Sequence, residues 1–130
     1  SDVYKRQMNK KGVIVKDAEI LLLGITFKEN CPDIRNTKII DVYSTFLEYT
    51  PNITVYDPWA NPDAVKCEYG VNLRNDDISN LTGQYDAVIL GVAHDQFKGL
   101  DIRSLLKDKE RGVVYDVKGI LDRTVIDGRL

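Results

Sequence analysis

Short apolar runs alternate with stretches of helical spacing along most of this chain, and few architectures accommodate that order. Residues 20–24, 53–56 and 85–90 have the length of strands, and the last is the clearest buried one, of the parallel-sheet kind. A weak strand signal lies at 71–73, and residues 113–117 form the last strand. After the first run, Ile39, Tyr43, Phe46 and Leu47 recur at the spacing of one helix face. The pattern predicts a helix over residues 37–49, with Asn36 or Thr37 as N-cap and Pro51 barring continuation. Asn61-Pro62-Asp63 opens a short second helix through Tyr69, which Gly70 ends. Residues 76–81 read as a loop or short helix, and 101–106 as a short helix capped by Asp101. The expectation is an α/β fold: a Rossmann-like, three-layer domain with a mainly parallel sheet of about five strands. The domain spans residues 18–130. Residues 1–17, polar and without periodicity, read as a lead-in segment or linker.

Composition narrows the function. With 130 residues, 43% hydrophobic and 29% charged, the chain can bury a core as one ordinary domain. Its net charge of −2 comes from interspersed charges, so the broad basic field of a nucleic-acid binder is lacking. No apolar run approaches the roughly 18 residues of a membrane span. Cys31 and Cys67 have no histidine cluster around them, which argues against a metal site. Their scarcity, and the lack of an apolar leader, suit a reducing cytoplasm.

The connection between the first strand and the first helix is unusual. It runs Gly24-Ile25-Thr26-Phe27-Lys28-Glu29-Asn30-Cys31-Pro32-Asp33-Ile34-Arg35-Asn36-Thr37, where strand-to-helix loops usually take about 2–6 residues. Such loops lie beyond the carboxyl ends of the strands, where open α/β sheets bind ligands. Lys28 and Arg35 supply cationic donors, and Glu29, Asn30, Asp33 and Asn36 can cross-link the loop or cap the helix. Pro32 stiffens its middle. Chemistry alone leaves two readings open, a ligand-binding crossover or a solvated turn with incidental charges.

The segment Gly-x-Thr-Phe-Lys-Glu-Asn-Cys-Pro-Asp-x-Arg-Asn-x-Lys resembles the signature that opens the C-terminal domain of the UDP-glucose/GDP-mannose dehydrogenase family. Its Glu-Asn-Cys-Pro-Asp-x-Arg-Asn portion is similar to the branch acting on UDP-N-acetylhexosamines. Further matches follow in the family's order: Val55-Tyr56-Asp57-Pro58, Val92-Ala93-His94-Asp95-Gln96-Phe97, Tyr115-Asp116-Val117-Lys118-Gly119 and Asp127-Gly128-Arg129-Leu130. The resemblance covers roughly residues 18–130. It implies the UDP-sugar-binding domain of an NAD-dependent 6-dehydrogenase that makes UDP-uronic acids for surface polysaccharide and assembles as a homo-oligomer. By the same resemblance, Phe27 and Lys28 hold the UDP-sugar and Lys118 also contacts it, at a position that is Arg in some members. Arg35 then reaches the NAD, which is held mainly by another Rossmann domain. The family's glycine-rich NAD loop and catalytic cysteine belong to its N-terminal and central domains. Neither occurs in these residues, so no catalytic residue is expected here and the chain alone is expected to be inactive.

Two further polar residues sit at strand ends. His94 is the only histidine, but no nucleophile stands beside it, and a core role is favoured over general-base work. Asp57 follows the second strand, where a dinucleotide fold places its ribose-binding acid. The first crossover lacks Gly-x-Gly-x-x-Gly, however, so Asp57-Pro58 reads as a strand stop and turn. A phospho-acceptor receiver domain would also place an Asp after a strand and a Lys after the last one. That reading needs an acidic pair for Mg²⁺ after strand one, where Thr26-Phe27-Lys28 stands instead. An interaction or oligomerisation domain is the remaining alternative.

Overall fold

The apolar runs become strands and the periodic stretches become helices in the computed structural model, which describes residues 18–35, 37–48, 50–110, 112–116 and 128–129. In chain order the elements are β1 (Ile20–Leu23), α1 (Ile39–Leu47), β2 (Ile53–Tyr56), α2 (Pro62–Tyr69) and β3 (Leu73–Arg74). A 3₁₀ turn (Ile78–Leu81) leads to β4 (Ala87–Leu90), α3 (Asp95–Lys98), a second 3₁₀ turn (Ile102–Leu105), β5 (Val113–Asp116) and β6 (Gly128–Arg129). The expected 37–49 helix, 85–90 strand and 101–106 helix are each narrower or tighter than the sequence pattern. Tyr85 makes only an isolated bridge to Leu106, and Asp101 makes no side-chain cap. The lead-in 1–17, Asn36, Lys118, and Asp127 and Leu130 of the C-terminal motif lie outside the described residues.

All neighbouring strands are parallel, in the order β3-β2-β1-β4-β5-β6. In register, Leu22 lies between Val55 and Ile89, and Leu23 between Tyr56 and Leu90. The chain moves outward from β1 to β3, then returns to the other side of β1. The switch point therefore falls between β1 and β4, where such a sheet opens a crevice. A receiver domain orders its strands 2-1-3-4-5; this sheet carries one strand more, the two-residue β3 outside β2.

The central strands are buried on both faces, because successive side chains point to opposite sides of the sheet. Ile20, Leu22, Val55, Ile89 and Tyr115 pack on one face with Ile39 and Phe46 of α1 and Val65 of α2. Leu21, Leu23, Val88, Leu90 and Val114 pack on the other with Leu81, Phe97, Ile102 and Leu105. Removing a core ring such as Phe46 costs about 3–5 kcal/mol. Leu47, expected on the same helix face, is exposed. At about 100° per residue it stands roughly 80° round from Ile39, and α1 ends there. Local chemistry sets the ends of α2: Asn61 Oδ1 accepts from the Ala64 amide at 3.0 Å, Pro62 opens the helix, and Gly70 closes it at φ 69°.

The strands flanking the switch point approach closely beyond their carboxyl ends. Leu23 O accepts from the amides of Gly91 (2.8 Å) and Val92 (3.2 Å). Gly24 has φ +90°, and a Cβ there would stand 2.6 Å from the Val92 Cβ. Only glycine fits both that backbone and that gap.

Candidate functional site

Three connections meet above the switch point: residues 24–38 after β1, 57–61 after β2 and 91–94 after β4. Their centre is the carboxylate of Asp57, which is fully buried. Its Oδ1 accepts from the amides of Trp59 (2.7 Å) and Ala60 (3.1 Å), turning its own loop toward α2. Its Oδ2 accepts from the amides of Ile25 (2.7 Å) and Thr26 (3.3 Å) at the start of the long crossover. The same oxygen lies 3.0 Å from Nε2 of His94, also fully buried. Burial alone would raise this carboxyl. The His94 bond and the amides of Ile25 and Trp59 outweigh it and hold the group below the usual carboxylate range.

The hydrogen bonds assign the imidazole tautomer. Nδ1 accepts from the Asn30 amide at 2.9 Å, so the proton is on Nε2, which donates to Asp57. Nε2 is also 3.2 Å from Thr26 Oγ1, and that hydroxyl in turn donates to Lys28 O at 2.9 Å. Asn30 is held at φ 55°, and its side-chain oxygen accepts from the Asp95 amide at 3.0 Å. Farther along, the Phe27 amide donates to Asp33 O at 2.7 Å, so the crossover doubles back on itself. Thr37 Oγ1 donates to Thr26 O at 3.3 Å and accepts from the Ile39 amide at 3.2 Å, joining the crossover to α1. The N-cap itself is Lys38, which makes no side-chain cap bond, so the expected capping by Asn36 or Thr37 is corrected: Thr37 ties the helix start from one residue earlier.

Phe27 and Lys28 emerge from this frame into solvent, Phe27 with 53% of its surface exposed. Trp59 is exposed nearby, its ring 6.2 Å from that of His94 and its Nε1 donating to Gln96 Oε1 at 3.0 Å. Arg35 lies on the same crossover and forms a two-pronged pair with Asp33 at 3.0 and 3.1 Å. That pairing lowers the Asp33 pKa and raises that of Arg35. Of the four residues singled out from sequence, Phe27, Lys28 and Arg35 share one loop, and Lys118 lies outside the described residues. His94 is the core residue expected, and Asp57 the expected turn. Their joint support of the crossover is what sequence reasoning missed. The available signal was that both polar residues stand at strand ends.

The site differs from that of a complete dinucleotide fold. Where a dinucleotide fold needs an exposed acid for the ribose, Asp57 is sealed inside, with both oxygens engaged. Among the described residues no His, Cys, Asp and Glu group is placed to hold a metal ion, and no helix is long and apolar enough to cross a membrane.

Comparison with known proteins gives a consistent result. The family model described as "UDP-glucose/GDP-mannose dehydrogenase family, UDP binding domain" matches residues 21–123. The chain is 44% identical to a UDP-N-acetyl-D-glucosamine 6-dehydrogenase of Salmonella typhi, covering 100% of this chain and 30% of that protein. It is 40% identical to one from Pseudomonas aeruginosa, over 96% of this chain and 29% of that protein. The chain therefore spans less than a third of these relatives. A crystal structure of an NDP-N-acetyl-D-galactosaminuronic acid dehydrogenase from Methanosarcina mazei Go1 shares the fold, with TM-score 0.78, 16% identity and coverage of 98% of this chain and 27% of that one.

Proposed function

Since the chain belongs to the UDP-glucose/GDP-mannose dehydrogenase family, through its UDP-binding domain, we propose that it holds the nucleotide end of a UDP-sugar for an NAD-dependent 6-dehydrogenase. The observation that carries this reading is the crossover after β1. Its backbone is tied down from beneath by Asp57 and His94, while Phe27 and Lys28 project into solvent over the switch point. Lys28 offers a fixed positive charge to the pyrophosphate, and Lys118 supplies a second. Each such charge-assisted bond is worth roughly 1.5–3 kcal/mol. Phe27 gives an apolar surface for the base or sugar. Arg35 leaves Asp33 to meet NAD bound on a separate Rossmann domain, and an exposed pair of that kind exchanges at little cost.

The names of the two relatives point to a UDP-N-acetylhexosamine as the substrate class. NAD, when bound, accepts hydride from the C6 alcohol. This chain's part is to orient the nucleotide, while the glycine-rich NAD loop and reactive cysteine come from N-terminal and central domains. The enzyme so formed is a cytoplasmic homo-oligomer making uronic acids for surface polysaccharide.

Steady-state kinetics on the intact dehydrogenase test the assignment. Lys28→Ala is expected to raise the UDP-sugar KM more than it lowers kcat, because the pyrophosphate lies away from the oxidised carbon. Arg35→Ala is expected to raise the NAD KM instead. The 130-residue chain alone should form no NADH and should bind UDP with a Kd near or above about 1 mM, lacking the closing partner domain. An unchanged UDP-sugar KM in Lys28→Ala would sink the reading.

A further inference from the structure

His94 is polar, fully buried and packed against aromatic rings, with Phe97 at 5.6 Å and Trp59 at 6.2 Å between ring centres. A hydrocarbon of similar size would occupy this position without the cost of burying two ring nitrogens. The use of those nitrogens is specific. Nε2 meets Thr26 Oγ1 at 3.2 Å and Asp57 Oδ2 at 3.0 Å, and Nδ1 accepts from the Asn30 amide at 2.9 Å. Thr26 and Asn30 bracket the three-residue tip Phe27-Lys28-Glu29, all exposed. One imidazole therefore holds both ends of the tip. A second tie runs from Asn30 Oδ1 to the Asp95 amide, next to His94 in the chain. Asn30 keeps an uncommon left-handed backbone, φ 55°, within this set of bonds.

From this arrangement we infer that His94 is a positioning residue for the nucleotide site: it fixes the separation of Thr26 and Asn30, and so the placement of Phe27 and Lys28. The inference rests on the reading of Phe27 and Lys28 as ligand contacts. His94 touches no reacting atom, and it works as the neutral Nε2–H form with Asp57 as its orienting acceptor. Preorganised contacts bind better because the ordering of the loop is completed before the ligand arrives.

Two substitutions separate positioning from packing. His94→Phe keeps a ring between Phe97 and Trp59 but loses both bonds to the crossover. His94→Gln keeps one donor and one acceptor. In the intact dehydrogenase, His94→Phe is expected to raise the UDP-sugar KM by about tenfold or more with kcat changed less than about threefold, and His94→Gln to recover much of the loss. Amide exchange at Asn30 should quicken in the His94→Phe chain while exchange in β1 and β4 does not. If His94→Phe does not fold, Thr26→Val removes the hydroxyl that links His94 to Lys28 O, and should raise KM by about threefold. Lys28→Ala is measured in parallel. A raised KM in Lys28→Ala with none in His94→Phe or Thr26→Val overturns the positioning role alone. No rise in any of them overturns both it and the site assignment.

Discussion

Two strand-to-helix connections leave the same edge of the sheet and are built on different principles. The connection from β2 to α2 is held by its own residues: Asp57 Oδ1 takes the Trp59 and Ala60 amides, Asn61 caps the helix, and Pro62 begins it. The connection from β1 to α1 takes residues 24–38 and is held largely by its neighbours, Asp57 after β2 and His94 after β4. Asp57 serves both, one oxygen to each. A short loop needs only turn chemistry. A long loop that must present a fixed surface needs support from other connections, and here that support is a buried acid and a neutral imidazole.

The strongest way to break this comparison is to remove the shared group. Asp57→Ala leaves four amides and the His94 Nε2–H without their acceptor, so urea denaturation should show a loss of about 3–5 kcal/mol. A loss under about 1 kcal/mol would mean that the two connections do not depend on a common carboxylate. Acid offers a second handle on the same group. The Asp57 pKa is depressed in the folded chain, so its contribution is complete above the unfolded value of about 4 and is lost as pH falls through the lower folded value. Asp57→Asn should flatten that acid limb in denaturation curves measured between about pH 2 and 5.

Glycine substitutions sharpen the contrast. Gly24→Ala sets a Cβ 2.6 Å from that of Val92 at φ +90°, and should cost about 2–4 kcal/mol. Gly70→Ala at the end of α2 has φ +69° but nothing within 4 Å, and should cost only about 1 kcal/mol. Equal losses in thermal denaturation would remove the claim that the lip of the long crossover is sterically closed. Asn61→Ala, which touches only the short connection, should cost about 1 kcal/mol and leave the UDP-sugar KM unchanged. A change in that KM would show that the two loops are coupled beyond Asp57.

The same contrast explains what sequence reasoning could reach. The α2 boundaries follow from Asn61-Pro62 and Gly70 because capping is local chemistry. The strands at 20–24 and 85–90 are readable because two-sided burial makes them apolar, and 53–56 because it is rich in β-branched residues, with ends that shift by a residue or two. Phe27, Lys28 and Arg35 could be singled out through motif resemblance. Asp57 and His94 could each be assigned a plain role, but not their common one. Asp57 is 31 and 32 residues from the crossover amides that it accepts, and His94 is 64 and 68 residues from Asn30 and Thr26. No periodicity encodes such pairings. They follow only once the strand order places β2 and β4 on either side of β1.

Trp59 gives the site its own optical label. It is the only tryptophan in the chain, partly exposed, hydrogen-bonded to Gln96, and ring to ring with the imidazole beneath the crossover. Light that only tryptophan absorbs therefore excites emission from one place in the chain, the ring beside His94. A crossover released from His94 would alter the colour and intensity of that light.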